Sequence, residues 1–128
     1  MDGRHAQNAA RQPGTSVGGA GVIDLLAIQT NIRIWGKYNF PDAVGYYCLL
    51  GATGELGELC QAHLRRIEKV GAGESGLRQK EQDEIGDILI FLMHFCGMEG
   101  YDIESIIRNR WDTIQFRDWR KHPGDGGR

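Results

Sequence analysis

A five-residue pattern of acid, aliphatic, glycine, acid and aliphatic occurs twice in this 128-residue chain. The first copy is Glu55-Leu56-Gly57-Glu58-Leu59, and Glu84-Ile85-Gly86-Asp87-Ile88 follows 29 positions later. Side chains three positions apart share one face of a helix, so each copy would direct two carboxylates the same way. Acid pairs gathered in one groove would repel by about 3 kcal/mol per close pair at ~5 Å and an effective dielectric of ~20. The repeated pattern therefore predicts two neighbouring helices whose shared groove either binds a hard cation or keeps some of its acids protonated.

Hydrophobic periodicity predicts an all-α, four-helix bundle-like protomer, because no window alternates with a period of two for long enough to indicate a sheet. Asp42 and Asp102 are predicted N-caps, Gly100 is a predicted C-cap, and the second helix is expected to stop at Gly71-Ala72-Gly73. The predicted helices lie near residues 22–35, 43–70, 77–98 and 102–119.

The two long helices are expected to pack antiparallel through apolar stripes beside the acids. The second helix offers Leu56, Cys60 and Ile67, and the third offers Ile85, Leu89, Leu92 and Cys96. Gly57 and Gly86 each cost about 1 kcal/mol against alanine inside a helix. We therefore expect the two backbones to approach closely at the level of the acids.

Length and composition predict one domain over residues 22–123, between flexible tails at 1–21 and 124–128. The net charge of −2 argues against a nucleic-acid binder. The three cysteines show neither a disulfide framework nor zinc-site spacing, which predicts buried thiols in a reducing cytoplasm. The longest apolar run, residues 88–93, falls far short of the ~20 residues of a membrane span.

The donor set predicts which metal the acids would bind. Glu55, Glu58, Glu84 and Asp87 supply only carboxylate oxygens, which is the chemistry of Mg²⁺, with Mn²⁺ as a substitute. A di-iron bundle would use Glu-x-x-His, and no acid lies three positions before His63 or His94. A solvated acidic face is the ordinary alternative for a single pair, but two copies in matching phase favour a site.

Taken together, these residues give the chain a recognisable likeness. Glu-x-x-Glu and Glu-x-x-Asp, with Trp35, Phe40-Pro41 and Arg117-Asp118-Trp119, resemble the MazG-like, all-α nucleoside triphosphate pyrophosphohydrolases. The resemblance covers about residues 22–123. One departure is that Ala52, Thr53 and Gly54 stand where many members carry an additional acid.

The resemblance implies an activity and an assembly. Its members bind Mg²⁺ through the four acids and cleave a nucleoside triphosphate to the monophosphate and pyrophosphate, which suggests nucleotide-pool housecleaning. They form homo-dimers or homo-tetramers with active sites lined by neighbouring subunits. The uninterrupted apolar run at residues 88–93 independently predicts a helix buried on all sides in an oligomer.

Other side chains are candidates for substrate contacts. Arg117 and Lys121, with Arg110 on the same face of the predicted fourth helix, are candidates for binding phosphates. Trp35, with Tyr38 and Phe40, is a candidate for stacking on a base, and filling a corner between helices is the alternative. His94 is expected to be a structural or interface histidine rather than a site residue.

Two other functions remain open from the sequence. The missing upstream acid is compatible with a non-catalytic helical dimerisation or regulatory module of the same fold. The same chemistry is also compatible with a pyrophosphohydrolase that acts on a phosphoribosyl nucleotide.

Overall fold

A computed structural model describes residues 21–71 and 73–124, and this part of the chain contains four helices and no strand. The helices are α1 (Leu25–Asn39), α2 (Gly45–Glu68), α3 (Glu74–Glu99) and α4 (Ile103–Ile114). The prediction of an all-α fold is confirmed. The predicted tails, apart from Gly21 and Gly124, lie outside the described residues.

Helix ends are set by local capping. The Asp24 carboxylate accepts a hydrogen bond from the Ala27 amide at 2.9 Å and caps α1. Asp102 caps α4 through the amides of Glu104 and Ser105, as predicted. Gly100 ends α3 with a φ of 74°, the left-handed conformation that glycine adopts without strain, and this prediction is also confirmed.

Several predicted boundaries are wrong. Helix α1 continues through Gly36 to Asn39 instead of ending at Trp35. Asp42 does not cap α2; the N-cap is Val44, whose side chain cannot accept a capping hydrogen bond. Helix α3 begins at Glu74, three residues earlier than predicted, and α2 ends at Glu68, where Lys69 has a φ of 56°.

The predicted fourth helix is five residues too long. Helix α4 ends at Ile114, and the Asp118 carboxylate then accepts hydrogen bonds from the amides of Arg120 and Lys121. Such local bonds offer the backbone an alternative to helical pairing. Arg110, Arg117 and Lys121 therefore do not share a helical face, which corrects that prediction.

Helices α2 and α3 form an antiparallel hairpin. Near one end a Cβ at Gly45 would contact Phe95, and in the middle a Cβ at Gly51 would overlap the Phe91 ring. Near the other end Arg66 of α2 pairs with Glu81 and Glu74 of α3. The two helices therefore stay in register along most of their length.

Helix α1 packs on the other side of α3. Gly36 leaves room for the ring of His94, and Gly97 lies against the side chain of Arg33. The buried Gln29 amide joins α1 to the start of α4, donating to the Tyr101 carbonyl and accepting from the Ile103 amide at 2.9 Å. A small core follows this junction and contains Met93, Cys96 and Ile103 against Leu25, Ile28 and Ile32.

The faces through which α2 and α3 contact each other differ from the prediction. The expected interface residues Leu56, Ile67, Ile85 and Leu89 are 51%, 62%, 47% and 45% exposed in the single chain. Small buried side chains of α2 face the hairpin instead: Cys48, Ala52 and Ala62. These four large aliphatic side chains therefore face away from the hairpin seam, and three of the four acids lie at it.

Two smaller predictions are wrong for the same reason. A Cβ at Gly57 or Gly86 would meet no atom within 4 Å, so the close approach expected there occurs instead at Gly51. Cys60 is exposed, whereas Cys48 and Cys96 are buried as predicted. Leu89 and Ile90 are exposed in the single chain, so the burial of residues 88–93 on all sides in an oligomer stays a prediction.

None of the helices within residues 21–71 and 73–124 is both long enough and apolar enough to cross a bilayer.

Candidate metal centre

Three of the four predicted acids converge between α2 and α3. Glu55 and Glu58 come from α2 and Glu84 comes from α3, and each offers a carboxylate oxygen within 4.8 Å of the others. We call these three side chains the carboxylate cluster. Their convergence follows from the i, i+3 spacing of the two α2 acids and from the inward rotation of both helices.

Glu84 is the most constrained member of the cluster. Its side chain is 6% exposed, and its Oε1 accepts a hydrogen bond from the Lys80 ammonium at 2.6 Å. Its Oε2 is buried and has no hydrogen-bond partner among the described residues. A buried anionic oxygen without a partner is unfavourable, so either a proton shared with a neighbouring carboxyl or a cation is needed to satisfy it.

The neighbouring acids alter the titration of Glu55. Hydrogen bonding to Glu84, then burial, then the negative charges of Glu84, Glu58 and Asp87 raise the pKa of Glu55 to about 7. Hydrogen bonds from Glu55 and Lys80 hold the pKa of Glu84 below its usual range. Near neutral pH the Glu55 carboxyl is therefore partly protonated, and a metal ion bound there would displace that proton.

Lys80 is a member of this site that the sequence reasoning did not single out. Its ammonium lies 3.5 Å from Glu58 Oε2 in addition to its bond with Glu84. The available signal was the i, i+4 spacing of Lys80 and Glu84, a common pairing on helix surfaces. One ammonium facing three carboxylates leaves the cluster short of positive charge.

Asp87 is placed differently from the other three acids. It is exposed and is not among the carboxylates whose oxygens lie within 4.8 Å of one another. It lines an adjoining cavity together with Glu55. Glu55 is therefore shared between the carboxylate cluster and the cavity.

That cavity has a volume of about 700 Å³ and mostly apolar walls. Trp35 and Phe40 line it and contact each other edge to face, with ring centroids 5.6 Å apart. Tyr38, named with them from the sequence, does not line it. The other lining residues are Ala43, Tyr47, Cys48, Ile90, Phe91 and His94. The volume falls within the range of about 300–1,000 Å³ typical of small-molecule sites.

His94 forms part of the cavity wall as a buried, neutral side chain. Its Nδ1 lies 3.5 Å from the Cys48 thiol, and its Nε2 is buried without a partner among the described residues. Burial, followed by the positive charge of Arg33, lowers the pKa of His94. Its ring packs where Gly36 leaves space and also lines the cavity, so its expected structural role stays a prediction.

Arg117 and Lys121 lie away from this cavity's walls. Arg117 stacks over Trp119 at 5.6 Å from the ring centroid, and Lys121 pairs with Asp118 at 3.7 Å. Arg117 lines a separate small cavity with Phe116, Asp118, Trp119 and His122. Within one chain, neither cation is brought to the carboxylate cluster.

The carboxylate cluster fits a hard divalent cation. It supplies three carboxylates without a nitrogen or sulfur donor, and the unpartnered Glu84 Oε2 is a ready ligand. The open side next to the cavity would leave coordination positions for water or phosphate oxygens, as Mg²⁺ sites require. Comparisons with protein-family models, curated proteins and solved structures gave no match to this chain.

Proposed function

We propose that this protein hydrolyses a nucleoside triphosphate to the monophosphate and pyrophosphate in a Mg²⁺-dependent reaction. The observation that carries the proposal is the position of Glu55, which belongs to the carboxylate cluster and also lines the aromatic cavity. A metal at the cluster would therefore adjoin a cavity that suits a nucleoside. That adjacency is what cleavage of a nucleotide phosphoanhydride requires.

The acids would hold the metal, with Glu55, Glu58 and Glu84 as ligands and Asp87 at the cavity side. Bound Mg²⁺, or Mn²⁺ in its place, neutralises phosphate charge, aligns the phosphates and lowers the pKa of a coordinated water. The protein's part is positioning and electrostatics, because phosphoryl chemistry needs little covalent help from side chains. Glu84 is fixed by burial, whereas the side chain of Glu58, at 58% exposed, can adjust to a ligand.

The cavity supports binding of a base. Trp35, Phe40, Tyr47 and Phe91 all line it, and aromatic faces stack favourably on nucleobases. Neighbouring Asp87 gives the cavity a polar edge on the side of Glu55. A nucleotide that spans the cavity and the carboxylate cluster would place its base against the aromatic side chains and its phosphates at the acids.

The remaining phosphate charge calls for cations from another subunit. No lysine or arginine lines the described cavity, and Arg117 and Lys121 lie elsewhere in the same chain. The exposed stripe of Leu56, Ile67, Ile85 and Leu89 offers an apolar contact surface, shown here for one chain. We therefore propose a homo-dimer or homo-tetramer in which a neighbouring copy supplies cations such as Arg117 and Lys121.

The test is pyrophosphate release from a panel of canonical, modified and phosphoribosyl nucleotides, with and without Mg²⁺. We expect release that requires Mg²⁺ and falls at least about 100-fold in Glu58→Gln. Glu68→Gln is the matched control, because it makes the same change on the exposed end of the same helix. Release that is insensitive to Mg²⁺, or equal in the two variants, would contradict the proposal.

The panel also separates the alternative functions. Preferential turnover of phosphoribosyl nucleotides would keep the chemistry and change the substrate. A chain that assembles but releases pyrophosphate from no nucleotide would be a non-catalytic dimerisation or regulatory module. The exposed apolar stripe is the observation that favours this second candidate.

A further inference from the structure

Lys80 is the cation that pairs with the carboxylate cluster in the described part of the chain. Its Nζ lies 2.6 Å from Glu84 Oε1 and 3.5 Å from Glu58 Oε2, so it bridges α3 to α2. Ion pairs between side chains on the same helix, such as Arg78 with Glu74, are ordinary surface features. Lys80 differs because one of its partners is 6% exposed and carries a second, unpartnered oxygen.

The ammonium of Lys80 can leave the carboxylate cluster as well as bind to it. It is 49% exposed, whereas its partner Glu84 is nearly buried. A lysine carries its point charge on a flexible four-carbon stem, so its ammonium can swing into water without moving the helix. Glu84 has no comparable freedom and must be satisfied where it stands.

We propose that Lys80 is a tethered counter-ion that takes the place of the divalent cation in the metal-free protein and is displaced when the metal binds. Lys80 thereby weakens metal affinity and preserves the arrangement of the ligands when metal is absent. The inference rests on the proposed function only in its metal site, not in its substrate.

Competition follows from the shared carboxylates. Glu84 Oε1 and Glu58 Oε2 are both bonded or paired to the ammonium, and both belong to residues that would ligate the metal. Mg²⁺ needs close, direct contact with its carboxylate oxygens and repels a neighbouring ammonium. The two cations therefore compete for the same two carboxylates, and their mutual repulsion favours departure of the ammonium when the metal binds.

Titration of the full-length chain with Mn²⁺ and with Mg²⁺ by calorimetry tests the proposal. Lys80→Gln should bind either metal about five- to tenfold more tightly than the wild type, since it removes the competing charge. Arg78→Gln is the matched control: it removes the same charge from the same helix but contacts Glu74 instead of the cluster. Its affinity should equal that of the wild type.

A second measurement covers the structural half of the proposal. Without metal, Lys80→Gln should have a lower Tm than Arg78→Gln, and Mg²⁺ should remove that difference. Lys80→Arg, which keeps the positive charge, should not gain affinity for either metal. Circular dichroism establishes that each variant is helical before it is titrated.

The outcomes separate the two proposals. Unchanged or weaker metal binding in Lys80→Gln, beside wild-type binding that Glu84→Gln abolishes, would overturn the role of Lys80 and leave the metal site intact. Absence of binding in both the wild type and Lys80→Gln would overturn both proposals. Binding in Lys80→Gln alone would support displacement of Lys80 in its strongest form.

Discussion

Two glutamates one turn apart on α3 have opposite surroundings. Glu81 accepts a hydrogen bond from Arg66 Nε at 2.7 Å and lies 3.1 Å from His63 Nδ1. Hydrogen bonding to Arg66 holds the pKa of Glu81 below its usual range. Glu84 instead faces Glu55 and Glu58, with Lys80 as its ion-pair partner.

The difference separates a carboxylate that joins helices from one that is available to a ligand. The charge of Glu81 is balanced by Arg66 across the hairpin, so no further cation is needed at this position. At the level of Glu84 the opposing helix contributes two more acids, and one oxygen of Glu84 has no partner among the described residues. Glu81 and Glu84 lie only three positions apart on the same helix. The residues of α2 that face them therefore cause the difference in their surroundings.

The first prediction concerns the pH dependence of metal binding at the carboxylate cluster. Because the pKa of Glu55 is raised to about 7, this carboxyl keeps its proton below that pH, and a metal must displace it. Metal affinity should therefore fall as pH drops, being about tenfold weaker at pH 6 than at pH 8. Mn²⁺ titrations at a series of pH values check this, and an affinity independent of pH across that range would contradict it.

The second prediction concerns the pair formed by Arg66 and Glu81, where we expect a smaller effect that is confined to thermal stability. Arg66→Gln should lower the Tm by about 4–8 °C, because it leaves the partly buried Glu81 without its main partner. It should leave Mn²⁺ affinity unchanged, since Arg66 does not contact the carboxylate cluster. Thermal unfolding and Mn²⁺ titration of the same preparation measure both. Loss of Mn²⁺ binding in Arg66→Gln, with an unchanged Tm, would contradict the separation of the Arg66–Glu81 pair from the carboxylate cluster.

Part of the fold and of the candidate site could be predicted from the sequence. The repeated acidic pattern predicted that four acids share one groove, and all of them except Asp87 converge. The four helices of the described residues and the caps at Asp102 and Gly100 were also predicted correctly. These features depend on spacing along one helix or on a single local hydrogen bond. Such interactions are largely independent of how distant parts of the chain pack.

The rotation of the helices could not be predicted in the same way. Large aliphatic residues such as Leu56 and Ile67 suggested the buried stripe, but small residues such as Ala52 and Ala62 occupy the seam of the hairpin. Small side chains carry a weak hydrophobic signal, although they allow two helices to approach closely. The outward face of the large residues has no covering element within the described chain.

The roles of single charged residues depended on tertiary contacts in the same way. Glu81 and Glu84 both lie on α3, and only the register of α2 gives the first an arginine and the second two acids. Arg117 and Lys121 were misplaced because Asp118 bonds to nearby amides beyond Ile114, where the helix had been predicted to continue.

The central claim is that Glu84 and the acids facing it form a divalent-cation site while Glu81, one turn away, does not. Calorimetric titration of Mn²⁺ into wild type, Glu84→Gln and Glu81→Gln compares the same substitution at the two positions. We expect binding to wild type and Glu81→Gln with affinities within about threefold, and at least about 100-fold weaker binding to Glu84→Gln. Equal binding by the two variants, or no binding by the wild type, would contradict the assignment.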